Sequence, residues 1–145
     1  MGETSVLSVM GGTRVLGKRI RSLIDLAELI EKGLPQAAAQ RVRERLRLTE
    51  TELAQGLGVS AKTLQRLAGR ENALLSPTQG DRLYRIARLV AMAEDVLENP
   101  DRAREWLREP QRGLGNRVPL ALMRTEAGAR EVEDLLGRIE YGVFS

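Results

Sequence analysis

The residues best equipped for chemistry lie in one run, Ser60-Ala61-Lys62-Thr63-Leu64-Gln65-Arg66. If the run is helical, Lys62, Gln65 and Arg66 point outward with Ala61 beside them, while Leu64 points inward. The fork of an arginine matches the two acceptors of guanine, and the amide of a glutamine matches the acceptor and donor of adenine. Thr63 is placed to help at the phosphate side, and Ser60 opens the helix. This is chemistry of recognition rather than of bond-making. The rest of the composition agrees. There is no histidine and no cysteine, which removes the commonest general base, the usual serine-hydrolase partner and the commonest metal ligands. Glu131, Glu133 and Asp134 are carboxylates on one predicted helix and read as a solvated face. Gly11-Gly-Thr-Arg14 is too short for a nucleotide loop. The expectation is a protein with no catalytic residues, no metal and no cofactor.

The elements that must position Lys62, Gln65 and Arg66 are legible around them. Thr49 with Glu52 three residues later forms a capping box that starts one short helix. Leu53, Ala54 and Leu57 share its inner face, and Ala54 is small where two helices would cross. Gly58 turns the chain, Val59 plugs the turn, and Ser60 caps the second helix. Leu64 and Leu67 are expected to face inward. Caps, turn and stripes together describe a DNA-binding helix-turn-helix. The same residues also fit an αα-hairpin without a DNA role.

The chain has 145 residues and a net charge of +3, with a pI near 9.8. That length suits one domain or two small ones, and the basic bias permits nucleic-acid binding. No apolar run approaches membrane-spanning length, and Gly11-Gly-Thr-Arg14 interrupts any signal-peptide core. A soluble, cytoplasmic protein with no membrane partner is expected.

Taken in order, residues 1–17 are rich in Gly, Ser and Thr and read as a flexible arm, with room for a short edge strand over Val6–Met10. Residues 18–32 read as a helix with Ile20, Leu23, Ile24, Ala27 and Ile30 inward, and Ser22 with Asp25 caps it a turn late. Gly33 stops it and Pro35 starts a helix over 35–47. Arg41, Arg43, Arg45 and Arg47 then spread over different faces. After the helix-turn-helix, Ser76-Pro77 starts the longest helix, about 77–98, and Asn99-Pro100 breaks it. A short helix over 101–108, a turn-rich stretch from Gly113 to Pro119, and a last helix capped by Thr125 follow. No segment alternates at period two long enough to demand a sheet, so the fold class is all-α. Trp106 is expected in the core. The only other aromatics are Tyr84, Tyr141 and Phe144, and two of these crowd the last five residues, as partner anchors do.

The order of motifs resembles the Xre/MbcA/ParS-type antitoxins of type II toxin–antitoxin pairs. The resemblance is carried by Lys32-Gly-Leu-Pro35, the helix-turn-helix, Leu75-Ser-Pro77, Asp81-Arg-Leu-Tyr-Arg-Ile-Ala-Arg88 and Ala103-Arg-Glu-Trp-Leu107. It continues through Leu114-Gly115, Pro119-Leu120, Arg124-Thr-Glu-Ala-Gly128 and Gly137-Arg-Ile-Glu-Tyr-Gly-Val143. It implies an Xre-like helix-turn-helix domain over 18–89 and a toxin-binding domain with a C-terminal tail over 90–145. It also implies a RES-domain toxin as partner, ADP-ribosyltransferase-like and acting on NAD, with operator double-stranded DNA as the second partner. Dimers within a larger toxin–antitoxin complex and repression of the chain's own operon are implied too. Lys62 and Leu67 stand where members often carry arginine, and Gly80 where serine is frequent.

For DNA the expected contacts are Ser60, Ala61, Lys62, Thr63, Gln65 and Arg66. Two such readers on two half-sites bind better than one, so a homodimer is expected, made through the C-terminal lobe or the long helix. For the toxin they are Arg124 and Glu126, left available on either side of the Thr125 cap, and the tail Tyr141, Gly142, Val143, Phe144 and Ser145. Gly142 would let the tail leave the helix, and the carboxylate at Ser145 would pair with an arginine that otherwise holds an NAD phosphate. The other function the residues fit is a stand-alone helix-turn-helix regulator whose C-terminal part dimerises or senses a ligand.

Overall fold

The computed structural model describes the backbone of residues 3–142 and the side chains of residues 5–142. Helices and turns account for it, and among the described residues only two isolated bridges, Pro35 with Leu74 and Gln111 with Arg117, have β pairing. The all-α expectation holds. None of the helices is long and apolar enough to cross a membrane. The chain forms two compact units that divide between Ala87 and Arg88.

The first unit opens with α1 (Glu3–Val9) and α2 (Gly12–Leu16), which pack against α4 (Gln36–Leu46). Val6, Val9, Met10 and Leu16 are buried. This corrects the reading of residues 1–17 as a flexible arm with an edge strand. Val6, Val9 and Met10 stand at i, i+3 and i+4, a helical stripe whose short length hid it. Gly11, at φ 102, makes the turn between the two helices, and a Cβ there would lie 2.4 Å from Val15 Cγ2.

Helix α3 (Leu23–Lys32) begins at Ser22, whose Oγ accepts from the Asp25 N–H at 3.1 Å. So the cap lies at the true start of the helix, not a turn inside it. The inward stripe is also different from the one expected. Leu26 and Leu29 are buried, while Leu23 is 53% and Ile24 71% exposed. Two apolar series fit helical spacing here, and the partner surface rather than the period selects one.

Helix α4 ends at Arg47, which takes a left-handed conformation (φ 54). Its Ala38, Ala39, Val42 and Leu46 are fully or almost fully buried. Backbone bonds from Leu75 N–H to Leu34 C=O (2.7 Å) and from Gln36 N–H to Ala73 C=O (3.0 Å) tie the loop before α7 to the turn before α4. Helix α7 (Pro77–Leu97) starts with a second capping box. Ser76 Oγ accepts from the Gln79 N–H at 3.1 Å, and Gln79 Oε1 accepts from the Ser76 N–H at 2.9 Å.

Gly80 is buried in the first turn of α7, and a Cβ there would meet Ile30 and Leu34 side chains at 3.5 Å, ordinary van der Waals contact. Gly80→Ala is therefore expected to stabilise the first unit by about 0.5–1 kcal/mol through helix propensity. Chemical denaturation of the two proteins checks this; a lower midpoint for the variant would show that the site has no room.

The second unit holds the last turns of α7, then α8 (Pro100–Arg108), a 3-10 turn (Arg112–Leu114), α9 (Pro119–Leu122) and α10 (Glu126–Glu140). Asn99 does more than break α7. Its Oδ1 accepts from the N–H groups of Asp101 (2.7 Å) and Arg102 (3.0 Å), capping α8. Ala103, Leu107, Leu114, Met123, Ala129, Val132, Leu135 and Leu136 are buried in this unit. Trp106, expected in the core, is half-buried, and its carbonyl accepts from Gln111 Nε2 at 2.9 Å. Arg88 on α7 pairs with Glu133 on α10.

Candidate functional site

The helix-turn-helix consists of α5 (Glu50–Leu57) and α6 (Ala61–Ala68). Its local chemistry follows the sequence closely. Thr49 Oγ1 accepts from the Glu52 N–H at 3.1 Å, and Glu52 Oε1 accepts from the Thr49 N–H at 2.9 Å. These two bonds satisfy donors that the first turn of a helix leaves unpaired. Gly58 sits in the left-handed region at φ 71. Ser60 Oγ accepts from the Thr63 N–H at 3.0 Å and donates to Thr63 Oγ1 at the same distance. Ser60 and Thr63 are thus bonded to each other at the start of α6.

Leu64 is buried against α4 and α5, while Leu67, expected inward, is only half-buried. Ala61 and Thr63 are half-buried, and Ser60, Lys62, Gln65 and Arg66 are exposed. Lys62, Gln65 and Arg66 therefore stand together on the outer side of α6. The result is a rigid, capped two-turn helix that presents two cations and an amide to solvent.

The frame behind the turn includes a residue that sequence reasoning missed. Arg82 of α7 reaches back and its Nη1 donates to the Leu57 carbonyl at 3.2 Å. It satisfies one of the carbonyls that the end of α5 leaves open and places a cation at the negative end of that helix. A Cβ on Gly58 would lie 1.7 Å from Arg82 Nη1. Gly58 is thus favoured by its backbone angle, and a side chain there would push the tip of Arg82 aside. Gly56 has a related role, since a Cβ there would approach Ile86 Cδ1 to 2.9 Å. No local signal marks a bond between residues 25 positions apart.

In the second unit, Thr125 caps α10, its Oγ1 accepting from the Gly128 N–H at 3.0 Å. Arg124 and Glu126 are exposed on either side of it. Both have partners within the chain, and Glu126 Oε2 lies 3.5 Å from Arg130 Nε. Such an exposed i,i+4 pair is weak enough to exchange for an outside partner. At the other end of α10, Tyr141 is 82% exposed and Gly142 takes φ 72. The chain leaves the helix in the left-handed turn expected of Gly142. Val143, Phe144 and Ser145 lie outside the described residues.

A helix-turn-helix followed by a small helical unit defines a two-part protein with a nucleic-acid-reader fold at one end. Comparison with known families identifies both parts. Residues 25–88 match the antitoxin Xre-like helix-turn-helix domain, and residues 92–142 match the antitoxin Xre/MbcA/ParS C-terminal toxin-binding domain. Antitoxin Xre of Yersinia enterocolitica is 31% identical over 121 residues, covering 83% of this chain and 81% of that protein. The Prs ADP-ribosylating antitoxin of Sphingobium sp. is 27% identical over 133 residues, covering 86% and 83%. Among solved structures, a chain of the M. tuberculosis MbcT–MbcA toxin–antitoxin complex matches with a TM-score of 0.54 at 30% identity, over 74% of this chain and 94% of that one. The chain belongs to the Xre/MbcA/ParS antitoxin family: it is an antitoxin with a helix-turn-helix domain and a toxin-binding domain.

Proposed function

We propose that this antitoxin neutralises a RES-domain toxin, an ADP-ribosyltransferase-like protein acting on NAD, and that it binds operator DNA as a homodimer to repress its own operon. The observation that carries the DNA half is the outer side of α6. There Lys62, Gln65 and Arg66 stand exposed on a helix capped by Ser60, after a turn that Arg82 braces through the Leu57 carbonyl. Arg66 reads guanine, Gln65 reads adenine, Lys62 enters the groove beside them, and Ser60, Ala61 and Thr63 follow the backbone. The toxin half is supported by the domain match over residues 92–142 and by the likeness to a chain of the MbcT–MbcA complex. Arg124 and Glu126 at the start of α10, and the tail from Tyr141 to Ser145, make the contacts with the toxin.

Arg66→Ala is expected to weaken operator binding by about 1–3 kcal/mol and to relax specificity at one base pair. Mobility shifts at fixed salt, on the operator and on single-base variants of it, check both effects. An unchanged affinity would remove Arg66 from the reader.

A further inference from the structure

Four large hydrophobic side chains are exposed among the described residues: Leu23, Ile24, Leu74 and Tyr141. Two of them adjoin on α3. Leu23 and Ile24 share one side of that helix with the exposed Ala27, and the half-buried Ile30 continues the stripe. The opposite side, Leu26 and Leu29, is already in the core. Helix α3 is thus apolar inside and apolar outside.

The charges around the outer stripe are ordered. Lys18, Arg19 and Arg21 are exposed just before the helix, and Glu28 and Glu31 are exposed in its second half. Lys32 at the end offsets one of those two carboxylates and leaves that half net acidic, while the half-buried Asp25 in the first turn offsets one of the three cations and leaves the other end net basic. A face with a basic end, an apolar middle and an acidic end complements itself when a second copy is turned by a two-fold axis. Antiparallel pairing sets Leu23 and Ile24 of each copy on the apolar middle of the other, and brings each basic end beside an acidic end. Parallel pairing would oppose like charges. Ala27 is small enough to let the two helices approach closely.

The other surfaces named for dimerisation have less to offer. On the long helix Leu83, Ile86, Ala87, Leu89, Val90 and Ala93 are all buried. In the second unit, Tyr141 is the one exposed large hydrophobic among the described residues.

We propose that the outer face of α3 pairs antiparallel with the same face of a second copy, and that this contact makes the homodimer. The proposal rests on the operator-binding reading only for its purpose, two readers on two half-sites; the pairing itself needs neither DNA nor toxin.

Sedimentation of the purified full chain, alone and at micromolar concentration, tests it. The wild type should run as a dimer and Ile24→Glu as a monomer, with unchanged far-UV circular dichroism. A charge exchange makes the test specific. R19E/R21E makes the face predominantly acidic and E28K/E31K makes it predominantly basic. Each alone should lose at least about tenfold in self-affinity through repulsion, and an equimolar mixture should recover a heterodimer. A monomeric wild type, a dimer indifferent to Ile24→Glu, or a mixture that forms no heterodimer would each overturn the assignment. A monomeric chain in which Ile24→Glu abolishes toxin binding would give the face to the toxin instead. A dimer that behaves as expected but binds no operator would leave the pairing standing and remove the repressor reading.

Discussion

Gly128→Ala will destabilise the toxin-binding domain by about 3 kcal/mol, at the upper end of what overpacking costs. The reason is where a methyl group would have to go. A Cβ on Gly128 would lie 2.0 Å from the carbonyl oxygen of Leu122, 2.8 Å from its carbon and 3.1 Å from its Cα. These are backbone atoms of α9, which cannot turn aside as the tip of a long side chain can. Thr125 holds the start of α10 in place from its own side, through the 3.0 Å bond from the Gly128 N–H. The conflict can be relieved only by separating α9 from α10, and those two helices pack directly on each other. Alanine's intrinsic advantage in a helix, about 1 kcal/mol, is too small to compensate. Gly137 on the same helix provides the control. Nothing lies within 4 Å of a Cβ there, so Gly137→Ala should raise stability by about 1 kcal/mol. Thermal denaturation followed by circular dichroism measures both. Operator binding by Gly128→Ala should persist while toxin binding falls. Equal melting temperatures for Gly128→Ala and wild type would show that the two helices have slack between them.

That glycine also marks the limit of what the sequence makes legible. Thr49 with Glu52, Ser60 with Thr63, Ser22 with Asp25, and Thr125 with Gly128 all bond across three residues. A cap is a local event, and residue types three apart are enough to read it. The turn at Gly58 and the small Ala54 could be read for the same reason. What could not be read depends on a partner remote in sequence. Helical spacing allows Leu23, Ala27 and Ile30 or Leu26 and Leu29 to face inward, and only the rest of the core selects the second. Arg82 looks like any surface arginine of a long helix until α5 is placed behind it. Gly128 looks like a weak point in a helix until Leu122 is placed beneath it. The short helices α1 and α2 were hidden by composition, since Gly, Ser and Thr surround their buried residues, Val6, Val9, Met10 and Leu16. The face of α6 was readable because it is local.

Truncation after Glu140 will leave DNA binding intact and strip the antitoxin of most of its protection against the toxin. Tyr141 is 82% exposed, so removing it takes nothing from the core of the second unit. The residues that fill that core, from Ala103 to Leu136, all precede the cut. Among the described residues, the last turn of α10 loses the bonds from the Tyr141 N–H to the Gly137 carbonyl (3.2 Å) and from the Gly142 N–H to the Ile139 carbonyl (3.1 Å). A helix end frays at small cost. An uncovered aromatic at a helix end is instead the kind of anchor that carries binding energy, because it brings a large apolar area at low entropic cost. Gly142, at φ 72, turns the chain out of the helix axis just beyond it. The domain match runs to residue 142, and on the proposed reading the folded domain would hold the tail near the toxin at high local concentration. When purified truncated protein is mixed with the toxin and NAD loss is followed, inhibition should weaken at least about tenfold, equivalent to 1.4 kcal/mol or more. Tyr141→Ala alone should reproduce part of that loss. Circular dichroism and operator binding must match the full chain for the comparison to count. If the truncated protein inhibits as well as the full chain, neutralisation lies with the α10 start, around Arg124 and Glu126, and the tail has no part in it.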